Sequence, residues 1–400
     1  MKKRYLITYK DKDLTLQKIN TLFGTNNSIK EFSADTIINE SSNYHFRNLG
    51  ISSHMLSEKD VQVLKTNPKI ASIEEDTGTT FSANTSDTKP KLRAALSDSY
   101  SWNMQLINAP KAWAKGYTGT GVNVAILSTG IANHPELNIK GGISTIPNWS
   151  SYMDDQGHGT HLAGIIAGLG KSSKSIRGVA PDASLYAVKV LEKTSVGGAE
   201  GKMTWIIAGM DWCIGNGIDV MCMGVSSQIN PSEAYSVGVK QCQQADIMVV
   251  CASGDSFGYG GFSYVNAPAN SGILDTPLAS PMAVGAIDNT SQVSAFSSRG
   301  GKSEIHWNYI SVVAPGVDIY STFLNNEFRI MSGTGTACAH VAGLVALLKQ
   351  KNKEMQQRNG KLNPLVIKSL ICSTAKGLGQ APLPNTPYGY GLIDCDKVTN

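Results

Sequence analysis

From Trp102 onward the chain alternates short, unbroken apolar runs with longer segments of helical spacing, and few folds accept that grammar. "VNVAIL" (122–127) precedes "GTHLAGIIAGL" (159–169), and "SLYAVKVL" (184–191) precedes "MTWIIAGMDWCIGNG" (203–217). "DVMCMGV" (219–225) leads to "SEAYSVGVKQCQQ" (232–244), and "DIMVVCASG" (246–254) leads to a glycine-rich loop. A strand reads as a continuous apolar run when helices cover both faces of its sheet. Residues 101–400 are therefore expected to form one α/β domain, a doubly wound and mostly parallel sheet. In such sheets the working residues lie past the carboxyl ends of the strands.

Residues 1–76 follow a different pattern. "KRYLITY" reads as a strand, and Leu14, Ile19, Leu22 and Phe23 fall near helical spacing with Asp13 as a cap. "FRNLGISSHML" is strand-like, Ser57 and Asp60 frame a capping box, Pro68 stops the helix, and "KIASIEED" closes as a strand. The order β-α-β-β-α-β is that of a small ferredoxin-like α+β domain. Residues 77–100, rich in Ser and Thr without apolar period, are expected to be a linker.

Charge and composition narrow the function. A net charge of +4 over 400 residues, with no dense Lys/Arg run, gives nucleic acid little to hold. The N-terminal apolar run stops at Tyr9 and no long apolar window follows, so neither a membrane span nor a signal peptide is expected, and the expected location is the cytoplasm. Seven cysteines at scattered spacing, with no CxxC pair, fit reduced, buried thiols.

Three segments converge on one chemistry. "VAILSTG" places Ser128 at the end of a buried strand, "GHGTHLAGIIAG" places His158 at the start of a helix, and "SGTGTACAHVAGLVALL" opens another helix at Gly335. With "RGVAPDASLYAVKVL", "VAPGVDIYSTF" and "YGYGLIDCDKV", these closely resemble the subtilisin-like serine proteases over nearly the whole chain. The first 76 residues are similar to that family's inhibitory propeptide. The resemblance implies a Ser-His-Asp triad with an asparagine donating to the oxyanion. His158 matches its position, but Ser128 stands where the family has aspartate, Gly335 where it has the nucleophilic serine, and Asp255 where it has the oxyanion asparagine.

Each departure removes a different part of the mechanism. Glycine cannot form an acyl-enzyme. Loss of the triad carboxylate alone costs about 10⁴ in kcat. An ionised aspartate accepts only and repels an oxyanion. The backbone at Gly224, Val225 and Ser226, with Gly254, is expected to line a groove in which an extended peptide pairs by strand addition. The family's metal loop corresponds to "GLGKSSKSIRGVAP", where Lys171, Lys174 and Arg177 argue against calcium, and no cofactor is expected.

Bland readings stand beside the sharp ones. His161 and His340 read as core residues, His134 as a turn residue, and Thr334 and Thr336 as helix caps. Cys338, three residues after Gly335, is a conceivable displaced nucleophile with His158 as base. Residues three apart on a helix are about 5–6 Å apart, however, and a buried thiol is the simpler reading. Three functions remain open: a pseudoprotease that binds an extended peptide or its own N-terminal domain as a regulator or scaffold, a peptide-modifying or processing enzyme with remodelled residues, and an endopeptidase captured as an inactive variant.

Overall fold

The structure is a computed structural model; it describes residues 1–23, 28–81, 101–171, 177–227, 232–257, 264–272, 280–302, 307–359 and 362–400. At the N-terminus, β1 (Lys3–Tyr9), α1 (Leu16–Phe23), β2 (Ile29–Glu31), β3 (Asn43–Phe46), β4 (Ile51–Leu56), α2 (Glu58–Lys65) and β5 (Ile70–Glu75) build one sheet in the order β2-β3-β4-β1-β5. Four of its strands pair antiparallel, and β2 adds a parallel edge next to β3. This short strand is absent from the expected order, since three residues carry no period. The α1 cap is also corrected: Thr15 Oγ1 accepts the Lys18 N–H at 3.4 Å, whereas Asp13 gives its own N–H to Asp11. The Ser57–Asp60 capping box is present as read.

The body follows as β7 (Asn123–Ser128), β8 (Ile139–Ser144), α3 (His158–Ala167), β9 (Ser184–Lys189), β10 (Glu192–Lys193), β11 (Ala199–Lys202), α4 (Met203–Gly215), β12 (Val220–Met223), α5 (Glu233–Gln244), β13 (Met248–Ala252), β14 (Met282–Ile287), the strand Val312–Pro315 and α6 (Thr334–Asn359). Among the described residues the central sheet runs Val312–Pro315, β14, β13, β12, β7, β9, β8, with every pair parallel. β12, β13 and β14 are buried along their whole lengths, as apolar runs covered on both faces must be. α6 packs across these strands and against α3, so the Gly335 and His158 helices meet above the strand ends. The seven cysteines are free and buried, and no described helix is long and apolar enough to cross a membrane.

Part of the expected linker is ordered. Gly78–Phe81 forms a strand, β6, pairing antiparallel with β11 so that Phe81 faces Ala199 and Gly78 faces Lys202. Residues 82–100 lie outside the described residues.

Carboxylates fasten the N-terminal sheet to the body. Glu74 accepts the N–H groups of Glu233 at 3.2 Å and Ala234 at 2.7 Å, at the amino end of α5. Asp76 accepts the Thr204 N–H at 3.1 Å, at the amino end of α4. Each negative charge thus meets unsatisfied donors and the positive end of a helix dipole. In the other direction Asp211 of α4 accepts the Asn48 N–H at 2.9 Å, and burial pushes its pKa up to about 7 against those hydrogen bonds. Glu74→Ala is expected to weaken this attachment by about 1–3 kcal/mol. Hydrogen exchange should show the Glu233 and Ala234 amides losing protection while those of β13 keep theirs.

Candidate active site

His158 is the first residue of α3, and its placement is built locally. Gln156 Oε1 accepts its N–H at 2.9 Å. Asp154 holds the helix start: Oδ1 accepts the N–H groups of Gln156 (2.9 Å) and Gly157 (2.8 Å), and Oδ2 accepts the Thr160 N–H at 2.9 Å. From the end of β7, Ser128 Oγ lies 2.8 Å from His158 Nδ1. A Cβ built on Gly335 would stand 3.0 Å from His158 Nε2 and 3.2 Å from the Gly224 carbonyl oxygen. Positions 128, 158 and 335 are therefore in line, with each ring nitrogen facing one of the other two. Enclosure lowers the His158 pKa to about 4, opposed by the Asp154 carboxylate, so the ring is neutral at pH 7.

Asp255 follows β13 and has taken on a different task. Its Oδ1 accepts both the Thr334 N–H and the Thr334 hydroxyl, each at 2.8 Å. It is thus the carboxylate cap of α6, where the sequence pointed to Thr334 and Thr336. Thr336 instead donates its hydroxyl to Gly333 O at 2.7 Å. Burial raises the Asp255 pKa, against the pull of the Thr334 bonds.

Gly224 directly follows β12, and a Cβ there would meet Leu162 Cδ1 at 2.2 Å, so a side chain at this position would have to push the end of Leu162 aside. Val225 is buried and Ser226 half-buried, ahead of Ser227, which exchanges backbone hydrogen bonds with Ala267. Gly254 is corrected: it is buried, its N–H goes to Thr334 Oγ1 at 3.1 Å, and at φ 111° it faces Asn266, so it supports α6 rather than lining a groove.

The thiol alternative is overturned. Cys338 is fully buried, 3.7 Å from Cys222 Sγ, with its S–H directed at Val250 O, and burial pushes its pKa well above the ordinary thiol value. His161 and His340 are core residues, bonded to Ile319 O (2.9 Å) and Thr336 O (2.8 Å). His134 bonds Glu327 O at 3.2 Å. At the loop implied for calcium, Glu136 accepts the Lys171 N–H at 2.8 Å and Arg177 lies over the Trp113 ring. Lys174 lies outside the described residues. Among the described residues no group of His, Cys, Asp or Glu side chains is placed to hold a metal ion, and the proposed function uses none.

Sequence reasoning missed Lys189. This lysine is fully buried beside Ser128 on β9, and its Nζ donates to Thr129 O (2.7 Å) and Asp155 Oδ1 (2.6 Å). A lone cation inside the apolar run "SLYAVKVL" was the available signal.

The chain was compared with known proteins. The Subtilase family profile matches residues 119–391. M-protease of Shouchella clausii is 34% identical over 398 residues, spanning 100% of this chain and 92% of that protein. Subtilisin Savinase of Lederbergia lenta is 38% identical over 298 residues, spanning 74% of this chain and 98% of that protein. Subtilisin E of Bacillus subtilis is 34% identical over 351 residues, spanning 87% of this chain and 80% of that protein. With the parallel sheet and the alignment of His158 with positions 128 and 335, these matches show that the chain belongs to the subtilase family.

Proposed function

We propose that this subtilase has lost peptide hydrolysis and serves as a pseudoprotease, holding an extended peptide, first of all its own β6, in a regulatory or scaffolding role. The observation that carries this reading is Gly335 beneath His158 Nε2: the base is in place and there is no atom for it to activate. Ser128 cannot hold a negative charge beside an imidazolium, and Asp255 cannot donate to an oxyanion while ionised. β6 on β11 supports peptide pairing by strand addition, and the Glu74 and Asp76 caps support an N-terminal unit that stays in place as a propeptide-like domain. Free, buried thiols fit a reducing compartment, the cytoplasm.

The purified chain should remain uncut and should not turn over fluorogenic peptides. A clean cut between about residues 76 and 101, in a preparation free of other proteases, would overturn the proposal. The intact alignment of positions 128, 158 and 335 favours one second reading, an endopeptidase captured in an inactive form like the proteases it resembles. Restoring serine at 335 separates the two.

A further inference from the structure

We propose that the seam between the N-terminal sheet and the body is a binding site for a small zwitterion, a free amino acid or short peptide with one ammonium and one carboxylate. A cavity of about 550 Å³ opens there between the β1–α1 connection, β3 and the carboxyl end of α5. Sites that take small molecules measure about 300–1,000 Å³. None of its walls belongs to the cleft around His158, so the site stands whether or not the chain hydrolyses peptides. His45 of β3 is the reason to expect an occupant. It is 1% exposed and lines the cavity, yet neither ring nitrogen makes a hydrogen bond of normal geometry. Burial lowers its pKa, opposed by Glu31 and the nearby Ile51 carbonyl, so the ring is neutral at pH 7 and brings one donor and one acceptor. Its aromatic neighbour Tyr9, edge-on at 6.3 Å, bonds its hydroxyl to Ser52 instead. A buried polar group left unpaired costs about 1–3 kcal/mol, which a ligand at this wall would recover.

The charges around the cavity come in both signs. Lys12 and Arg47 are cations, Asp13 and Glu31 are carboxylates, and all four are exposed on its wall. Their present commitments are loose. Lys12 Nζ donates to Gln241 Oε1 at 3.3 Å, and Arg47 stands 3.5 Å from Glu31 with both side chains in solvent. An exposed pair of this kind is worth about 0–1 kcal/mol, so a ligand can exchange it for its own contacts. A ligand of one sign would face two charges like its own. A zwitterion meets both kinds and leaves the net charge of the cavity unchanged, while the imidazole accepts from its ammonium or donates to its carboxylate. With walls from both the sheet and α5, an occupied cavity also holds the sheet to the body, because the ligand binds the docked state alone.

The test uses the full chain, ¹⁵N-labelled at histidine, at pH 7 and constant ionic strength. The probes are glycine and glycylglycine as zwitterions, N-acetylglycine as an anion and glycinamide as a cation. The tighter of the two zwitterions tells a free amino acid from a short peptide. It should give a saturable shift of the His45 ring resonances and slow hydrogen exchange at the Glu233 and Ala234 amides, with the two singly charged probes weaker by about tenfold or more. Arg47→Gln should weaken the zwitterion by a similar factor and turn the remaining preference towards glycinamide. Glu31→Gln should weaken it too and turn the preference towards N-acetylglycine. Both residues are exposed, and unchanged exchange in β4 checks that each variant is folded. No zwitterion response at His45, equal responses to all four probes, a response at His158 alone, or a zwitterion affinity unmoved by both substitutions would each overturn the proposal.

Discussion

Gly335→Ser alone should leave peptide hydrolysis close to background, whereas Gly335→Ser combined with Ser128→Asp and Asp255→Asn should exceed the single variant by roughly 10⁴ or more. A serine Cβ would stand 3.0 Å from His158 Nε2 and 3.2 Å from the Gly224 carbonyl oxygen, tighter than an ordinary contact, so the His158 ring must give by a few tenths of an ångström to admit it. The base itself also lacks its carboxylate. Enclosure holds the ring neutral with a pKa near 4, and Ser128 contributes a dipole where a charge is needed when the ring takes up a proton. A triad carboxylate is worth about 10⁴ in kcat, and one oxyanion donor about 10²–10³. Such contributions do not add freely, so the carboxylate term sets the lower bound. Asp255→Asn fits the existing contacts: its oxygen keeps the Thr334 bonds, and its NH₂ replaces the Oδ2 that lies by Gly333.

The readouts are turnover of a fluorogenic peptide and the intact mass of the chain. β6 already lies on β11, so the first substrate of the triple variant should be the segment after Phe81, and the chain should split there. Robust hydrolysis by Gly335→Ser alone would show that Ser128 and Asp255 are compatible with catalysis. The captured-endopeptidase reading would then replace the pseudoprotease one.

What could be read from the sequence divides by the range of the interaction. The strands of the parallel sheet were legible because burial on both faces writes itself locally, as in "DIMVVCASG". His158, Ser128 and Gly335 were legible through the resemblance of "LSTG", "GHGTH" and "GTGTA" to the motifs of the subtilisin-like proteases. The role of Asp255 was not: one carboxylate can serve an oxyanion or cap a helix, and only the approach of Thr334, 79 residues away, decides between them. β6 was hidden for a similar reason. "GTTF" has little pattern of its own and becomes a strand only because β11 offers an edge. "IEED" advertises negative charge, but its meeting with the amino ends of α4 and α5 is a tertiary fact. Gly254 misled because its sequence neighbours suggest a cleft wall, whereas its φ of 111° and its N–H serve the support of α6.

Acid should loosen the N-terminal sheet, and His54→Phe should remove most of that sensitivity. His54 is fully buried on β4, with Ser52 Oγ 2.7 Å from its Nε2 and the Phe23 ring stacked at 4.0 Å. Burial, with Arg4 and His45 adding positive charge, lowers its pKa to about 3. Folding therefore excludes a proton that the unfolded chain binds at an ordinary 6.5, so this contribution to stability is complete above pH 6.5 and drains away as pH falls towards 3. At about 1.4 kcal/mol per pH unit the total is roughly 5 kcal/mol, comparable with the whole stability of a small domain. Burial also lowers His45, which acts in the same direction. Asp211 acts in the opposite one: held up at about 7 where it meets Asn48, it disfavours docking when ionised, and that burden lifts as pH falls from 7 towards the ordinary carboxylate value. Asp211→Asn should accordingly steepen the acid response of the N-terminal amides in hydrogen exchange, and His54→Phe should flatten it. A pH profile unchanged by His54→Phe would rule out the imidazole as its source. Because Glu74 and Asp76 leave the body when this sheet unfolds, acid should also free β6 from β11, opening that strand edge to a peptide from outside.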